Sequence, residues 1–287
     1  TPLLSWLNWK KTAAAELSIR SVNFPLFKFK MKTKLVEFKN NNGDILRGIA
    51  AIPEVVTGRG AVFLQGLERN ATVEKKFRRL ADALAARGII SLRFDASGCG
   101  LSDGDFAKTT LRGRSNELMA AVNYFQKDFG KMKISFVAHS LGMCALALKL
   151  DGLEDIIERM VFISPALNQS DLMRYYYVRD MMATKEPGII IGWDNYKKYL
   201  NEEKFTKDCS RTGRIMRENY IEPGYLLEAK DIDLSNYFDK IREKILHVHG
   251  EHDIKVPLGS LNTKFPNRII VSGGDHEFAL AAPASHC

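Results

Sequence analysis

Short apolar runs alternate with longer amphipathic stretches along most of this chain. The apolar runs, which have the composition of β-strands, occupy residues 61–64, 89–94, 134–138, 159–163, 245–249 and 268–271. Two of the intervening stretches, 72–87 and 111–127, have the length and composition of helices. Strands that alternate with helices predict an α/β fold, in which a mostly parallel sheet is covered on both faces. The functional site is then expected at the carboxyl ends of the strands.

Two segments depart from this alternation. Residues 34–39 and 45–52 flank an Asn-Gly-Asp turn, which favours a β-hairpin. Residues 168–239 carry Tyr175-Tyr-Tyr177, paired methionines and the apolar run 188–193. We expect this segment to be a cap inserted between two strands. Its aromatic and methionine side chains suit either the wall of an acyl or aryl pocket or the cap's own small core, and the sequence favours neither.

A candidate nucleophile lies where the run 134–138 meets a helix-forming stretch at 143–150. The junction reads Ala-His-Ser-Leu-Gly, with Ser140 at its centre. It resembles a G-x-S-x-G turn, which presents a serine hydroxyl on a strained bend between a strand and a helix. Ala138 replaces the commoner glycine and is still small. The pentapeptide alone fits a helix-capping serine equally well, so the interpretation depends on partners further along the chain.

Those partners follow in the order that such hydrolases require. Asp253 lies in the loop after the run 245–249, and His276 follows a Gly-Gly turn after the run 268–271. A serine needs a neutral imidazole to take its proton and a carboxylate to orient that imidazole. We therefore predict a catalytic triad of Ser140, Asp253 and His276.

Other acids and histidines compete for these positions. Asp275 and Asp171 are alternative acids. His252 is an alternative base, although it precedes Asp253 and has no acid behind it in the expected order. His139, on the sharp turn beside the serine, is expected to pack or to form hydrogen bonds instead. The alternating pair His247 and His249 is expected to share one face of a strand.

Such a mechanism also needs N–H donors for the developing oxyanion. One is expected at Leu141, the residue after the nucleophile. The second is expected at Leu67, in the loop after the run 61–64, where Gly66 permits a tight turn. An ordinary glycine-containing loop between strand and helix is the alternative.

The glycine-rich loop at residues 93–104 has neither the P-loop ending nor the dinucleotide-binding spacing. We interpret it as a tight loop that braces the active-site end of the sheet. Cys99 within it has no motif that supplies a base, so a nucleophilic role is disfavoured.

These motifs together resemble the α/β-hydrolase family over about residues 35–166 and 244–278. Within that family the chain is similar to bacterial esterases of the cinnamoyl or feruloyl type. The resemblance rests on the turn around Ser140, the loop at 93–104, His249-Gly-Glu-His-Asp253 and Gly274-Asp-His276. Gln65-Gly66 departs from the family's usual His-Gly, which leaves a backbone donor at Leu67 intact. The resemblance implies an α/β-hydrolase fold and serine-dependent ester hydrolysis.

Charge and the chain ends suggest the domain organisation. The net charge is +8, but residues 1–34 hold seven Lys or Arg and one Glu, which leaves +2 for the rest. We expect residues 1–30 to be a basic leader outside the fold, as an addition foreign to the native protein, a basic amphipathic arm or a transit-like segment. Residues 31–167 and 240–278 are expected to form the hydrolase core and 168–239 the cap. Residues 279–287 are expected to be a tail, although the family resemblance implies a helix after the histidine.

Composition limits the kinds of binding partner and cofactor to expect. The nearly neutral body disfavours nucleic acid, and no apolar run approaches the ~18 residues of a membrane span. The four cysteines, at 99, 144, 209 and 287, have neither zinc-site nor disulfide spacing. We therefore expect a cytoplasmic enzyme without metal or cofactor, and the sequence does not indicate an oligomeric state.

The expected function is that of a serine carboxylesterase (EC 3.1.1 type). It would act through an acyl-enzyme on short-chain or aryl, cinnamoyl-like esters. Two alternatives stay open: a thioesterase or acyltransferase on the same triad, and a non-catalytic binding protein on the same fold.

Overall fold

The computed structural model describes residues 30–216 and 218–278 of the chain. The leader predicted at 1–30, except for Lys30, and the tail predicted at 279–287 lie outside the described residues. The strands are β1 (Met31–Lys39), β2 (Ile45–Pro53), β3 (Arg59–Leu64), β4 (Ile90–Phe94), β5 (Lys133–His139), β6 (Ile157–Ile163), β7 (Arg214–Ile215), β8 (Tyr220–Ile221), β9 (Ile245–Gly250) and β10 (Asn267–Val271).

The helices lie mostly between these strands. They are α1 (Lys75–Ala85), α2 (Leu111–Phe129), α3 (Gly142–Ala147), α4 (Gln169–Lys185), α5 (Glu202–Arg211) and α6 (Pro223–Ala229). Short 3-10 turns occur at Phe106–Lys108, Leu150–Gly152, Tyr196–Tyr199, Asp239–Lys244 and Leu258–Ser260.

Eight strands form one sheet in the order β1-β2-β4-β3-β5-β6-β9-β10. The pairs β1·β2 and β2·β4 are antiparallel, and the pairs from β4 through β3 to β10 are parallel. This topology confirms the predicted α/β-hydrolase fold, a mostly parallel sheet that begins with a hairpin. The carboxyl ends of the parallel strands lie at one edge, where β5 and β9 deliver the loops that contain Ser140 and Asp253.

The two faces of the sheet are covered by different helices. Along β3, Ala61 and Phe63 point to the face where α1 contributes Phe77 and Ala81. Val62 and Leu64 belong to the larger core on the other face, to which α2 and α3 contribute. Successive strand side chains point to opposite faces, so a strand buried on both sides has the continuous apolar sequence seen at 61–64.

Helix α1 begins three residues later than the predicted start at residue 72. The side chain of Asp95, at the end of β4, accepts hydrogen bonds from the backbone N–H and the hydroxyl of Thr72, at 3.0 and 2.6 Å. This buried carboxylate holds Thr72 in a turn before the helix. Such a contact between distant residues leaves no trace in local periodicity.

The described part of the chain contains no helix that is both long and apolar enough to cross a lipid bilayer. Cys99, Cys144 and Cys209 are buried free thiols, and Cys287 lies outside the described residues.

The first residue of α3 makes a close contact between helix and sheet. A Cβ placed on Gly142 would lie 2.6 Å from the carbonyl oxygen of Leu64 and 3.0 Å from that of Gln65. Both neighbours are backbone atoms, which have little room to move. Glycine at this position lets the segment that follows Ser140 lie directly against the end of β3.

We expect Gly142→Ala to destabilise the fold, because overpacking of this kind costs about 1–3 kcal/mol. Urea denaturation of wild type and variant measures the loss in unfolding free energy. Gly152→Ala is the matched control, since a Cβ there meets nothing within 4 Å. Equal stability of the two variants would contradict the close contact.

Two buried histidines on β9 form a hydrogen-bonded chain. A carbonyl only accepts, so His249 Nε2–H donates to the oxygen of Val256 at 2.8 Å. His249 Nδ1 is then an acceptor, and His247 Nε2–H donates to it at 3.0 Å. The two side chains share a face of the strand, as predicted. Burial, reinforced by the neighbouring histidine, lowers the pKa of His247 to about 3.

We expect acid to destabilise the protein through His247. An unfolded histidine has a pKa of about 6.5. Between pH 6.5 and about 3, His247 is therefore protonated in the unfolded chain and neutral in the folded protein. The unfolding free energy therefore falls as pH falls, by about 1.4 kcal/mol between pH 7.5 and 5.5 for this one site. Urea titrations at both pH values measure the fall.

His247→Gln retains a donor near Nε2 and should remove that share of the pH dependence. His252→Gln, at an exposed histidine, is the control and should retain the wild-type dependence. If both variants keep the full dependence, His247 is not its source.

Candidate active site

Ser140 lies on the turn between β5 and α3 with φ of +53°, in the left-handed region that non-glycine residues rarely adopt. Its N–H donates to the carbonyl of Ile163 at 2.9 Å, and its own carbonyl accepts from the N–H of Ala166 at 3.2 Å. These bonds to the end of β6 and to the loop beyond it hold the strained turn. The sequence pattern at 138–142 predicted this bend.

Four of the predicted site residues lie together. Ser140, His276, Leu67 and Leu141 line one cavity of about 270 Å³. The fifth, Asp253, is hydrogen-bonded to His276 behind the cavity. Residues 113 positions apart along the chain, from Ser140 to Asp253, therefore meet at one edge of the sheet.

Asp253 and His276 form a buried, directional pair. His276 Nδ1–H donates to Asp253 Oδ2 at 2.7 Å, which leaves the lone pair on Nε2. The other carboxylate oxygen accepts from the N–H groups of Lys255 and Val256 at 3.0 and 2.8 Å. Burial alone would raise the pKa of Asp253, but the hydrogen bonds from His276 and from the N–H of Val256 outweigh it. The pKa therefore lies below its ordinary value, and the carboxylate stays charged.

The alternative acids are engaged elsewhere. Asp171, in the first turn of α4, pairs with Lys197 at 3.4 Å. Asp275 accepts the N–H of Glu277 at 2.8 Å through its side chain. The rival base, His252, is exposed at the surface. The geometry therefore favours Asp253 and His276 over these three.

The two expected oxyanion donors flank the serine. Gly66 lies so near that a Cβ there would be 3.2 Å from the Cβ of Ser140, which brings the loop containing Leu67 against the nucleophile. Within the described residues, no protein acceptor takes the N–H of Leu67 or of Leu141. Two backbone donors next to the serine are thus available to a ligand.

His139 forms a hydrogen bond, as predicted, with a partner that the sequence did not reveal. Its Nε2–H donates to the carbonyl of His276 at 3.2 Å, and the two rings lie 4.8 Å apart. Burial lowers its pKa well below the ordinary value, and the nearby charge of Lys76 lowers it further. A neutral His139 therefore holds the loop that contains His276. Only the hydrogen-bonding tendency of a turn histidine pointed to it.

Glu277 ties the same loop to the other side of the cavity through ion pairs with Arg69 and Lys76. Burial raises its pKa, but the charge and hydrogen bond of Lys76 and the charge of Arg69 help to lower it below the ordinary value. His139, His276 and Glu277 each place one possible metal-ligand atom within 4.8 Å of the others. A cation there would compete with Arg69 and Lys76 for Glu277.

The glycine-rich loop at residues 93–104 is held by contacts with Asp95 and Arg114. Asp95 Oδ2 accepts the N–H of Leu101 at 3.1 Å, and a Cβ on Gly100 would lie 2.1 Å from that oxygen. Cys99 is buried, and its Sγ lies 3.3 Å from Nη2 of Arg114. The loop is therefore packed around a carboxylate and a buried thiol.

Residues from the predicted cap segment lie in two different surroundings. Met173, Tyr176 and Tyr225 line the cavity beside Ser140. Tyr175, Met182 and Trp193 instead pack in a separate apolar cluster. The division follows the faces of α4, on which neighbouring residues point in different directions.

Comparison with known proteins places this fold among hydrolases. The serine aminopeptidase S33 family matches residues 63–214, which is more than half of the chain. No curated protein matches the chain significantly in sequence.

Solved structures with a similar fold include Est1E from Butyrivibrio proteoclasticus with ferulic acid bound. It is 21% identical with a TM-score of 0.62, over 85% of this chain and 91% of Est1E. An esterase from Pyrococcus furiosus is 18% identical with a TM-score of 0.56, over 86% of this chain and 84% of the esterase. GrgF from Penicillium sp. sh18, an α/β-hydrolase, is 18% identical with a TM-score of 0.56, over 85% of this chain and 91% of GrgF. At these identities the structures establish a shared fold, and the family match establishes kinship: the chain belongs to the serine aminopeptidase S33 family of α/β-hydrolases.

Proposed function

We propose that this hydrolase is a serine carboxylesterase that cleaves short-chain or aryl esters through an acyl-enzyme. The observation that carries the proposal is the 2.7 Å hydrogen bond from His276 to buried Asp253, at a cavity that Ser140 also lines. This pair leaves His276 Nε2 as the base on the serine side. Ser140, Asp253 and His276 are the proposed triad.

In the proposed reaction, His276 Nε2 takes the proton of Ser140 while the serine oxygen attacks the ester carbonyl. The N–H groups of Leu67 and Leu141 stabilise the oxyanion, a contribution of about 3–4 kcal/mol for one donor. The tetrahedral intermediate collapses as His276 protonates the departing alcohol. Water, deprotonated by the same imidazole, then attacks the acyl-enzyme and releases the acid and the free serine.

Charge pairing in the cavity supports an ester over the free amino terminus of a peptide. An aminopeptidase needs a carboxylate to receive the substrate's ammonium group. Asp180 lies in the cavity wall but pairs with Arg179 and Arg214. Glu277 pairs with Arg69 and Lys76. A third carboxylate in the wall, Glu68, accepts the backbone N–H of Asn219 at 2.9 Å. A substrate ammonium would have to compete with these cations and with that N–H group, whereas a neutral ester would not.

We further propose that residues 168–239 are the cap and that it forms the acyl or aryl wall of the site. Met173, Tyr176 and Tyr225 give that wall an apolar, partly aromatic surface, which suits an aryl group. The ferulic acid bound to Est1E is an aryl acid of this kind.

Replacement of the nucleophile tests the reaction class. We expect Ser140→Ala to lower kcat on p-nitrophenyl acetate and methyl ferulate by at least about 10⁴-fold, because only binding and oxyanion stabilisation remain. Ser210→Ala, at an exposed serine, is the control and should retain wild-type turnover. A fluorophosphonate probe should label wild type and not Ser140→Ala. Equal ester turnover in wild type and Ser140→Ala would refute Ser140 as the nucleophile. Faster cleavage of aminoacyl p-nitroanilides than of esters by the wild type would refute the proposed substrate class.

Replacement of the acid tests the orientation of His276. We expect Asp253→Asn to lower kcat by about 10⁴-fold with KM nearly unchanged, because the amide stabilises the wrong imidazole tautomer. Asp171→Asn is the matched control, since that carboxylate pairs with Lys197. Steady-state kinetics with p-nitrophenyl butyrate measures both. A loss of similar size in the two variants would argue against Asp253 as the acid.

A further inference from the structure

A second cavity lies in the segment 168–239, on the far side of α4 from the serine. Its volume is about 470 Å³, and its wall includes Tyr177, Phe205, Cys209 and Leu226. Burial raises the pKa of Cys209, so its thiol is neutral and contributes to an apolar surface. The proposed reaction does not use this cavity.

Helix α4 separates the two cavities. Tyr176 faces the cavity beside Ser140, and Tyr177 and Met181 face the second one. Met173 and Asp180 line both. These two residues are seven positions apart, two helical turns on one stripe, so they mark the boundary between the two faces.

The rest of the boundary is an ion pair. Arg214 also lines both cavities and pairs with Asp180. The Asp180 side chain is 49% exposed and that of Arg214 is 19% exposed. The Arg214 guanidinium also lies over the ring of Tyr176, 5.6 Å from the ring centroid. The side chains that line both cavities, those of Met173, Asp180 and Arg214, therefore form the partition between them.

The sizes of the cavities suggest that they work together. Ligand sites usually enclose about 300–1,000 Å³, and the cavity beside Ser140, about 270 Å³, lies just below this range. Addition of the second cavity more than doubles the volume. The added surface is mainly aromatic and aliphatic near α4, with Lys204 and Asp208 also in its wall.

We infer that the second cavity binds the distal part of a medium-length acyl chain whose carbonyl lies at Ser140. The inference rests on the proposed esterase function and extends its substrates. With the Asp180–Arg214 pair closed, the first cavity holds a short acyl or aryl group. When the pair opens, an alkyl chain of about eight to ten carbons passes Met173 and packs against Leu226 and Phe205. Burial of the chain's apolar surface away from water there stabilises the bound state.

A tryptophan that fills the second cavity tests this inference. In the Ser140→Ala background, which separates binding from turnover, calorimetry measures decanoate and butyrate binding. We expect Leu226→Trp to weaken decanoate at least tenfold and to change butyrate by less than twofold. In the enzyme with Ser140, the same substitution should lower kcat/KM for p-nitrophenyl decanoate at least tenfold and leave the acetate ester within twofold.

Leu227→Trp is the matched control, because Leu227 is the next residue on α6 and its side chain is 43% exposed. It should leave both ligands unaffected. Met181 is a half-buried residue of α4 that lines the same cavity, so Met181→Trp also fills it. This variant replaces Leu226→Trp if thermal melting shows that Leu226→Trp does not fold.

The outcomes separate the two proposals. Absence of decanoate binding, or binding that neither tryptophan weakens, overturns the second cavity as an acyl site even if short esters are hydrolysed. Decanoate binding that responds to the tryptophans, without Ser140-dependent ester turnover, supports the cavity and refutes the esterase.

Discussion

The strained turn at Ser140 is the constraint on which the rest of this site depends. A left-handed serine is unfavourable in isolation, and it persists here because its N–H and carbonyl are bonded to Ile163 and Ala166. Those bonds require β5 to lie beside β6, deep in the parallel sheet. Gly142 and Gly66 then let backbone approach the turn closely from both sides. Sheet order, glycine placement and the position of the serine at the cavity are thus parts of one arrangement.

Buried histidines hold the loops that surround this turn. His249 bonds to the carbonyl of Val256, whose N–H supports Asp253. His139 bonds to the carbonyl of His276. Both are kept neutral by burial, which lowers their pKa values. Neutral imidazoles that donate to backbone carbonyls fix the loops without a buried charge, which would cost several kcal/mol of desolvation. The two members of the buried pair, Asp253 and His276, therefore meet in a preset geometry.

The segment 168–239 divides its side chains between a small apolar cluster and the walls of two cavities. One face of α4 gives Tyr175, Val178 and Met182 to a small apolar cluster, and other faces line the two cavities. The same amphipathic rule that buries a helix against a core leaves other side chains of α4 in the walls of the two cavities. In the proposed function this division makes α4 the element that determines substrate size, while the sheet determines the reaction.

The sequence alone determined the α/β alternation, the bend at Ser140 and the order of serine, acid and histidine, because these depend on local periodicity and on small residues at turns. The choice of Asp253 over Asp171 and Asp275 was open in the sequence, since each of the three follows a predicted strand. Only the tertiary structure shows that the carboxylate of Asp253 lies 2.7 Å from His276. Other features also appeared only in the three-dimensional structure. They are the contacts of His139 and Glu277, the start of α1 after the turn that Asp95 holds, and the contribution of α4 to both a core cluster and the cavities. Each depends on a contact between residues distant in the chain, and such contacts are set by packing rather than by the pattern of neighbouring residues.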